Sequence, residues 1–435
     1  MKTSGPRVVS SLLLIVAAVA AALAIGEIGV RLLGLEGRAR VRVVPGKGIT
    51  FEPGAAYRHV KEGFSEGHFN AQGFRDRERS VAKPPGGFRI LVLGDSFVEA
   101  LQVPLDETFP AVLEDRLRLR PRGDGTEVLA MGQSGFGTAS ELMRYLDFGA
   151  AYDPDVVLLA FYAGNDVRDN SVLLSGDAPE FFFTLGVDGS LVLDRSRLEA
   201  LERQRASSGI VDRLQDWSQL ASLISDRLAL LRLERRARLQ AAALAPPQPV
   251  SASRSVAPGA PPRSVGPPPR TAVNDEANVY AEDAGAPWRD AWSVTEAILG
   301  RFADETAARG SRLAVVSIGT GEQVEEDLGR SILAASPGRD LDGPDRRLAS
   351  MTAKRGVPCL LLAPGLRAAE AAGAGFLYGF GARRGGHWNA AGHRAAAALI
   401  ERFLEENRLL APVPAGGTAE SELAGRAFTA PSPRR

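Results

Sequence analysis

The sequence predicts an α/β domain built on a parallel sheet of about five strands, with helices packed on both faces. Two observations carry this. From about Phe88 onward, short apolar runs alternate with helix-like stretches, the rhythm of strands joined by crossover helices. The runs are rich in Val and Leu and nearly continuous in apolar character, as strands covered on both faces are.

The predicted strands are Phe88–Leu93, Thr126–Met131, Asp155–Tyr162, Arg312–Ile318 and Val357–Ala363. Asp106–Arg120, Thr138–Ala150, Trp288–Arg309 and Asn389–Asn407 read as helices, with apolar residues three and four apart. The alternation is broken by an insertion over about 171–287. Within it, Val211–Gln240 reads as a long helix that turns basic between Arg232 and Arg238, a solvated face or a membrane or partner surface. Pro246–Pro269, rich in Pro, Ala and Ser, has too little apolar surface to order itself and reads as flexible. Residues 408–435 read as a disordered tail. The main domain is thus expected over 81–407, preceded by a lead-in over 26–80.

Bulk composition excludes several function classes. Lys plus Arg and Asp plus Glu each number 52 in 435 residues, so the long-range field that gathers a polyanion is missing and nucleic acid is not an expected partner. The single cysteine, Cys359, excludes an internal disulfide and any multi-cysteine metal site. It lies in the apolar run Val357–Ala363 and reads as a small buried hydrophobe. No Gly-x-Gly-x-x-Gly follows a strand, and phosphate-binding Gly-Lys-Ser/Thr and His-Glu-x-x-His strings are absent. Neither a cofactor nor a metal is expected.

At the N-terminus, residues 1–7 carry Lys2 and Arg7, and Val8–Ile25 is uncharged and long enough to cross a bilayer. That segment reads as a membrane anchor, or as a signal cleaved after Ala22-Leu23-Ala24. Arg31, Arg38, Arg40, Arg42 and Lys47 follow it, so a charge count alone would leave the chain beyond it in the cytoplasm. Long domains, however, translocate despite flanking charge.

The chemistry-bearing strings fall at predicted element boundaries. Gly94-Asp95-Ser96 ends the first strand, where open α/β sheets build their sites; Asp95 or Ser96 would alternatively only cap the next helix. A serine becomes a nucleophile only with a base and an oxyanion hole. Gly132-Gln-Ser-Gly135-Phe-Gly137 follows the second strand as a loop of little bulk. Gly164-Asn165-Asp166 follows the third and offers a carboxamide. Gly386-His387-Trp388-Asn389 precedes the last helix. Phe136 breaks any reading of the Ser134 loop as a Gly-x-Ser-x-Gly elbow.

These four strings, in this order, resemble the four blocks of the SGNH, or GDSL-type, serine hydrolases. The resemblance runs from about Asn70 to Asn407, because Asn70-Ala-Gln-Gly-Phe-Arg-Asp76 is similar to the lead-in of membrane-anchored bacterial members, some of them similar to polysaccharide O-acetylation proteins. It implies a three-layer α/β/α, flavodoxin-like fold with Ser96 as nucleophile and His387 as base. It also implies an oxyanion hole made by the Ser96 and Gly135 amides and the Asn165 carboxamide. The activity implied is removal of acyl groups, acetyl in particular, from an envelope or exported glycan. O-acetyl transfer by the same residues and a silent glycan-binding protein remain open. The setting implied is a single-pass inner-membrane protein with a periplasmic domain, or a secreted one after cleavage near Ala24. An acylated small molecule or glycan is the expected partner, and the membrane is the other, through residues 8–25.

Two positions depart from the family pattern. Ala130 stands where many relatives carry Asn. The acid that usually lies two or three residues before the histidine is replaced by Gly385 and Arg384, and Phe380–Gly386 contains no acid. The ring of His387 is then expected to be held by a main-chain carbonyl or by a carboxylate from a distant segment. His59 and His68 read as surface or packing residues, and His393 as a residue of the last helix.

Overall fold

A computed structural model describes residues 5–32, 41–121, 123–175, 181–207, 276–335, 338–381 and 383–411, with scattered positions between 218 and 228. The predicted Pro246–Pro269 segment, most of the Val211–Gln240 helix and nearly all of the tail lie outside the described residues. The chain opens with the helix Gly5–Leu32. Its stretch Leu13–Leu32 is long and apolar enough to cross a membrane and is almost wholly exposed. The helix thus continues beyond the uncharged Val8–Ile25 run, past Glu27 and Arg31. In the helix these two lie one turn apart and pair at 2.7 Å, partly offsetting each other's charge.

Two short hairpins come next, β1 (Val41–Val44) with β2 (Gly48–Phe51), and β3 (Ala56–His59) with β4 (Ser65–His68). Phe51 stacks on Phe69 at 4.0 Å and Tyr57 tilts against the same ring, which gives the hairpins a small aromatic core of their own.

The central sheet is parallel throughout. Its strands are β5 (Phe88–Gly94), β6 (Thr126–Ala130), β7 (Val156–Phe161), β10 (Arg312–Ser317) and β11 (Cys359–Leu361), in the order β6-β5-β7-β10-β11. Numbered by appearance within this sheet, the order is 2-1-3-4-5, that of flavodoxin-like folds. Side chains alternate between two apolar layers. Leu91, Leu129, Val157 and Val315 point to the helices Thr138–Asp147, Ala286–Ala308 and Gly343–Ala353. Ile90, Val92, Leu158 and Val316 point to Phe109–Arg118, Leu362–Ala369 and Ala390–Glu406. The result is a three-layer α/β/α domain. β11 is shorter than the apolar run from Val357 suggested, because Leu362 already starts a helix. Burial raises the Cys359 thiol to about 11, which keeps it protonated and unreactive.

The remaining strands, β8 (Phe182–Leu185) with β9 (Leu191–Asp194) and β12 (Tyr378–Phe380) with β13 (Arg383–Trp388), form antiparallel ribbons outside the sheet.

The lead-in is fastened to this domain by buried arginines. Arg75 donates to the carbonyls of Glu99, Ala100 and Val103 at 2.6–2.8 Å. Arg79 pairs with Asp76 and with the fully buried Glu114. Asn70 accepts from the Gln72 and Phe74 amides and so folds the turn that aims Arg75. Removing such a guanidinium would strip several buried carbonyls of their donors at once, a larger loss than a single hydrogen bond.

Candidate active site

The groups at the site come from strand ends of the central sheet, from the ribbon strand β13 and from the turn between β3 and β4. β5 stops at Gly94, and the four-residue helix Ser96–Glu99 begins at once. Asp95 caps it, accepting from the Phe97 amide at 2.9 Å. Ser96 is the only partly exposed residue between Ile90 and Ala100. Its position at the first turn, with its neighbours buried, leaves the hydroxyl facing outward.

His387 lies on β13, just before the last helix. Its Nε2 is 2.8 Å from Ser96 Oγ. Its Nδ1 is 2.7 Å from Glu62 Oε2, and its backbone amide donates to Glu62 Oε1 at 2.8 Å. Both oxygens of one carboxylate are thereby used as acceptors. This fixes the tautomer: Nδ1 carries the proton toward Glu62, and Nε2 is left to accept from the serine. The Phe97 ring packs 5.0 Å from the imidazole and closes its inner side.

Glu62 is the residue that sequence reasoning did not find. It comes from the turn between β3 and β4, in the lead-in, and fills the role of the expected carboxylate from a distant segment. Two glycines make the approach possible. A Cβ on Gly63 would collide with the Gln102 carbonyl and the Phe380 ring, and one on Gly386 would collide with Glu62 Oε1; both have φ between +70° and +85°. Arg384 does not face the imidazole. Its guanidinium lies 4.1 Å over the Phe376 ring and 3.9 Å from Glu325.

The second and third strings are anchored to the same helix. The Gln133 amide donates to the Gly94 carbonyl at 3.1 Å, and the Ser134 amide donates to the Glu99 carboxylate at 2.7 Å. Gly135, at φ +83°, follows in the same turn. Arg144, buried beneath it, donates to Gln133 Oε1 at 2.6 Å, and desolvation lowers its guanidinium to about 9. Asn165 donates from Nδ2 to Asp95 Oδ2 at 2.9 Å, which ties the β7 loop to the residue before the serine. Asp166 accepts from the Tyr162 amide. Burial, then the nearby Glu141 and Asp95 charges, raise its carboxyl well above the usual range. The structure therefore joins Ser96 to His387 directly and brings the Asn165 and Gly135 loops to the helix that carries Ser96.

The other histidines separate clearly. His59 stands at the end of β3, three residues before Glu62; burial lowers its ring, and the charges of Glu62 and His387 act on it in opposite directions. His68 is exposed on β4. His393 is buried, with Nδ1 accepting from the Phe109 amide at 3.2 Å, and desolvation depresses its pKa to about 3. A base that must bind a proton near neutrality cannot have that value. Because the folded value lies below the ordinary 6.5, the neutral ring's stability contribution is fully present above about pH 6.5 and is lost as pH falls toward 3. A His393→Gln variant, whose amide oxygen still accepts from Phe109, should accordingly lose less stability than wild type between pH 7 and pH 4 in urea titrations. Equal losses would count against this role for His393.

Among the described residues no group of three or more His, Cys, Asp or Glu side chains forms a metal site.

No family model and no curated protein matches the sequence. Among solved structures, the chain is similar to an acetylxylan esterase from Geobacillus stearothermophilus, at 12% identity over 73% of this chain and 94% of that one, with a TM-score of 0.36. It is also similar to a lipolytic protein of the G-D-S-L family from Desulfitobacterium hafniense, at 8% identity over 73% and 100%, TM-score 0.33. A protein from Lactobacillus plantarum is similar at 14% identity over 74% and 97%, TM-score 0.34.

Proposed function

We propose that this chain is an SGNH-type serine ester hydrolase that removes short acyl groups, acetyl above all, from an envelope or exported glycan outside the cytoplasm. The observation that carries the reading is the unbroken run from Ser96 Oγ through His387 to Glu62, at 2.8 and 2.7 Å. Ser96 Oγ attacks the ester carbonyl carbon while its proton passes to His387 Nε2. The Nδ1 proton stays with the ring, and the Glu62 carboxylate stabilises the imidazolium. The Ser96 and Gly135 amides and a carboxamide N–H of Asn165 stabilise the tetrahedral oxyanion. Its collapse expels the alcohol, which takes the proton from Nε2 and leaves an acyl-serine. Water, deprotonated by His387, then releases the acid and restores the serine.

The glycan class and the setting rest on the likeness of Asn70–Asp76 to the lead-in of membrane-anchored relatives and on the apolar helix before it. A fluorophosphonate probe tests the chemistry, and it should label the full-length protein at Ser96 and nowhere in Ser96→Ala. A folded wild type that takes no label would replace the hydrolase by a silent binding protein. A C-terminal alkaline phosphatase fusion tests the setting, and an inactive fusion beside an active cytoplasmic reporter would reverse the topology.

A further inference from the structure

The β3–β4 turn that supplies Glu62 also carries the exposed apolar side chains Val60 and Phe64, at 65% and 51% exposure. Among the described residues, Phe64 is the only aromatic in the set of exposed large apolar side chains. A lone exposed apolar residue needs no explanation. This one stands two positions from a carboxylate that contacts His387 twice.

The backbone that carries the ring is held in place. The Phe64 amide donates to the Gln102 carbonyl at 3.1 Å, the Ser65 hydroxyl donates to the Leu101 carbonyl at 2.5 Å, and Gly63 is packed without room for a Cβ. Its surroundings are polar. The Arg58 guanidinium lies 5.8 Å from the ring centroid, and Lys61 and Glu66 are exposed on the same hairpin.

The direction of proton transfer says which part of a substrate would meet this turn. His387 Nε2 must return its proton to the departing alkoxide, so the alcohol portion of the ester lies on the His387 side of Ser96. Glu62, on the same turn as Phe64, contacts that histidine. The carbonyl oxygen lies toward the Gly135 and Asn165 loops. A flat aromatic face fringed by hydrogen-bonding side chains complements a pyranose, which has an apolar C–H face and a rim of hydroxyls. An acyl chain would instead require enclosed apolar surface.

We infer that Phe64, on the same turn as Val60, is the platform on which a sugar ring of the leaving alcohol stacks, so that the turn carrying the triad acid also selects a glycan ester. The inference rests on the hydrolase reading above. Its test uses the full-length wild type, Phe64→Ala and Phe64→Trp with two esters. One is ethyl acetate, whose alcohol has no ring to stack; the other is an O-acetylated oligosaccharide of at least four pyranose residues.

Phe64→Ala should leave kcat/KM for ethyl acetate within about twofold and raise KM for the oligosaccharide about three- to tenfold, the scale of one aromatic contact. Phe64→Trp should return that KM to the wild-type value. An unchanged oligosaccharide KM in Phe64→Ala, or a parallel fall with both esters, would overturn the platform. Hydrolysis of ethyl acetate but not of the oligosaccharide by wild type would overturn it too, leaving the hydrolase reading intact. If wild type hydrolyses neither ester, both readings fall.

Discussion

Ser96→Ala should hydrolyse an aryl acetate at least about 10³-fold more slowly than wild type, as removal of a covalent nucleophile does when the rest of the site survives. On the proposed mechanism the substitution deletes the atom that accepts the acyl group, and it leaves the His387–Glu62 hydrogen bonds in place. What remains is the oxyanion hole and a base able to activate water, so a small residual rate is expected. Steady-state kinetics with burst analysis check this. Wild type should show an acyl-enzyme burst where deacylation limits, and the variant none. Activity in Ser96→Ala within tenfold of wild type would remove the serine from the mechanism.

Glu62→Gln should cost about 10²- to 10⁴-fold in kcat/KM, with the upper end set by the comparable acid-to-amide change in a serine protease. The carboxylate accepts twice, from the His387 amide and from its ring Nδ1–H. A carboxamide has one accepting oxygen. If that oxygen keeps the backbone amide, its NH2 faces Nδ1 and forces the proton to Nε2, where it blocks transfer from Ser96. If the oxygen keeps the ring, the NH2 faces another N–H. Either way the imidazolium loses its counter-charge in a half-buried setting. Glu62→Asp, one methylene short, should fall between the two. The measurement is kcat/KM beside a thermal unfolding curve. A well-folded Glu62→Gln with a rate within threefold of wild type would reduce Glu62 to a structural tie.

The strands were legible because burial on both faces leaves a continuous apolar run, as in Ile90–Leu93 and Val156–Phe161, where exposure is zero or nearly so. The strings around Ser96, Gly135, Asn165 and His387 were legible because each breaks such a run or starts a helix. Glu62 was not. Val60-Lys61-Glu62-Gly63-Phe64 has the composition of any hairpin turn, and what distinguishes it is a contact with a histidine 325 residues away. The hairpins β1–β2 and β3–β4 escaped notice for a related reason. Four-residue strands with one buried face carry too little periodicity to stand out. Arg384 stands three residues before His387 in sequence, and β13 turns its guanidinium onto Phe376.

The separation of the three linked residues has a consequence for how the protein is made. Ser96 and His387 are 291 positions apart and Glu62 lies 325 before the histidine. Translation delivers the acid and the serine early and the base only when most of the chain has left the ribosome. Contacts so distant in sequence also form slowly. A nascent chain that lacks His387 therefore carries, on the proposed mechanism, a serine with no base and is inert toward esters. On the proposed mechanism, nucleophilic power arises only when β13, formed after the last strand of the sheet, brings its histidine to the β5 end and to a turn made early in synthesis.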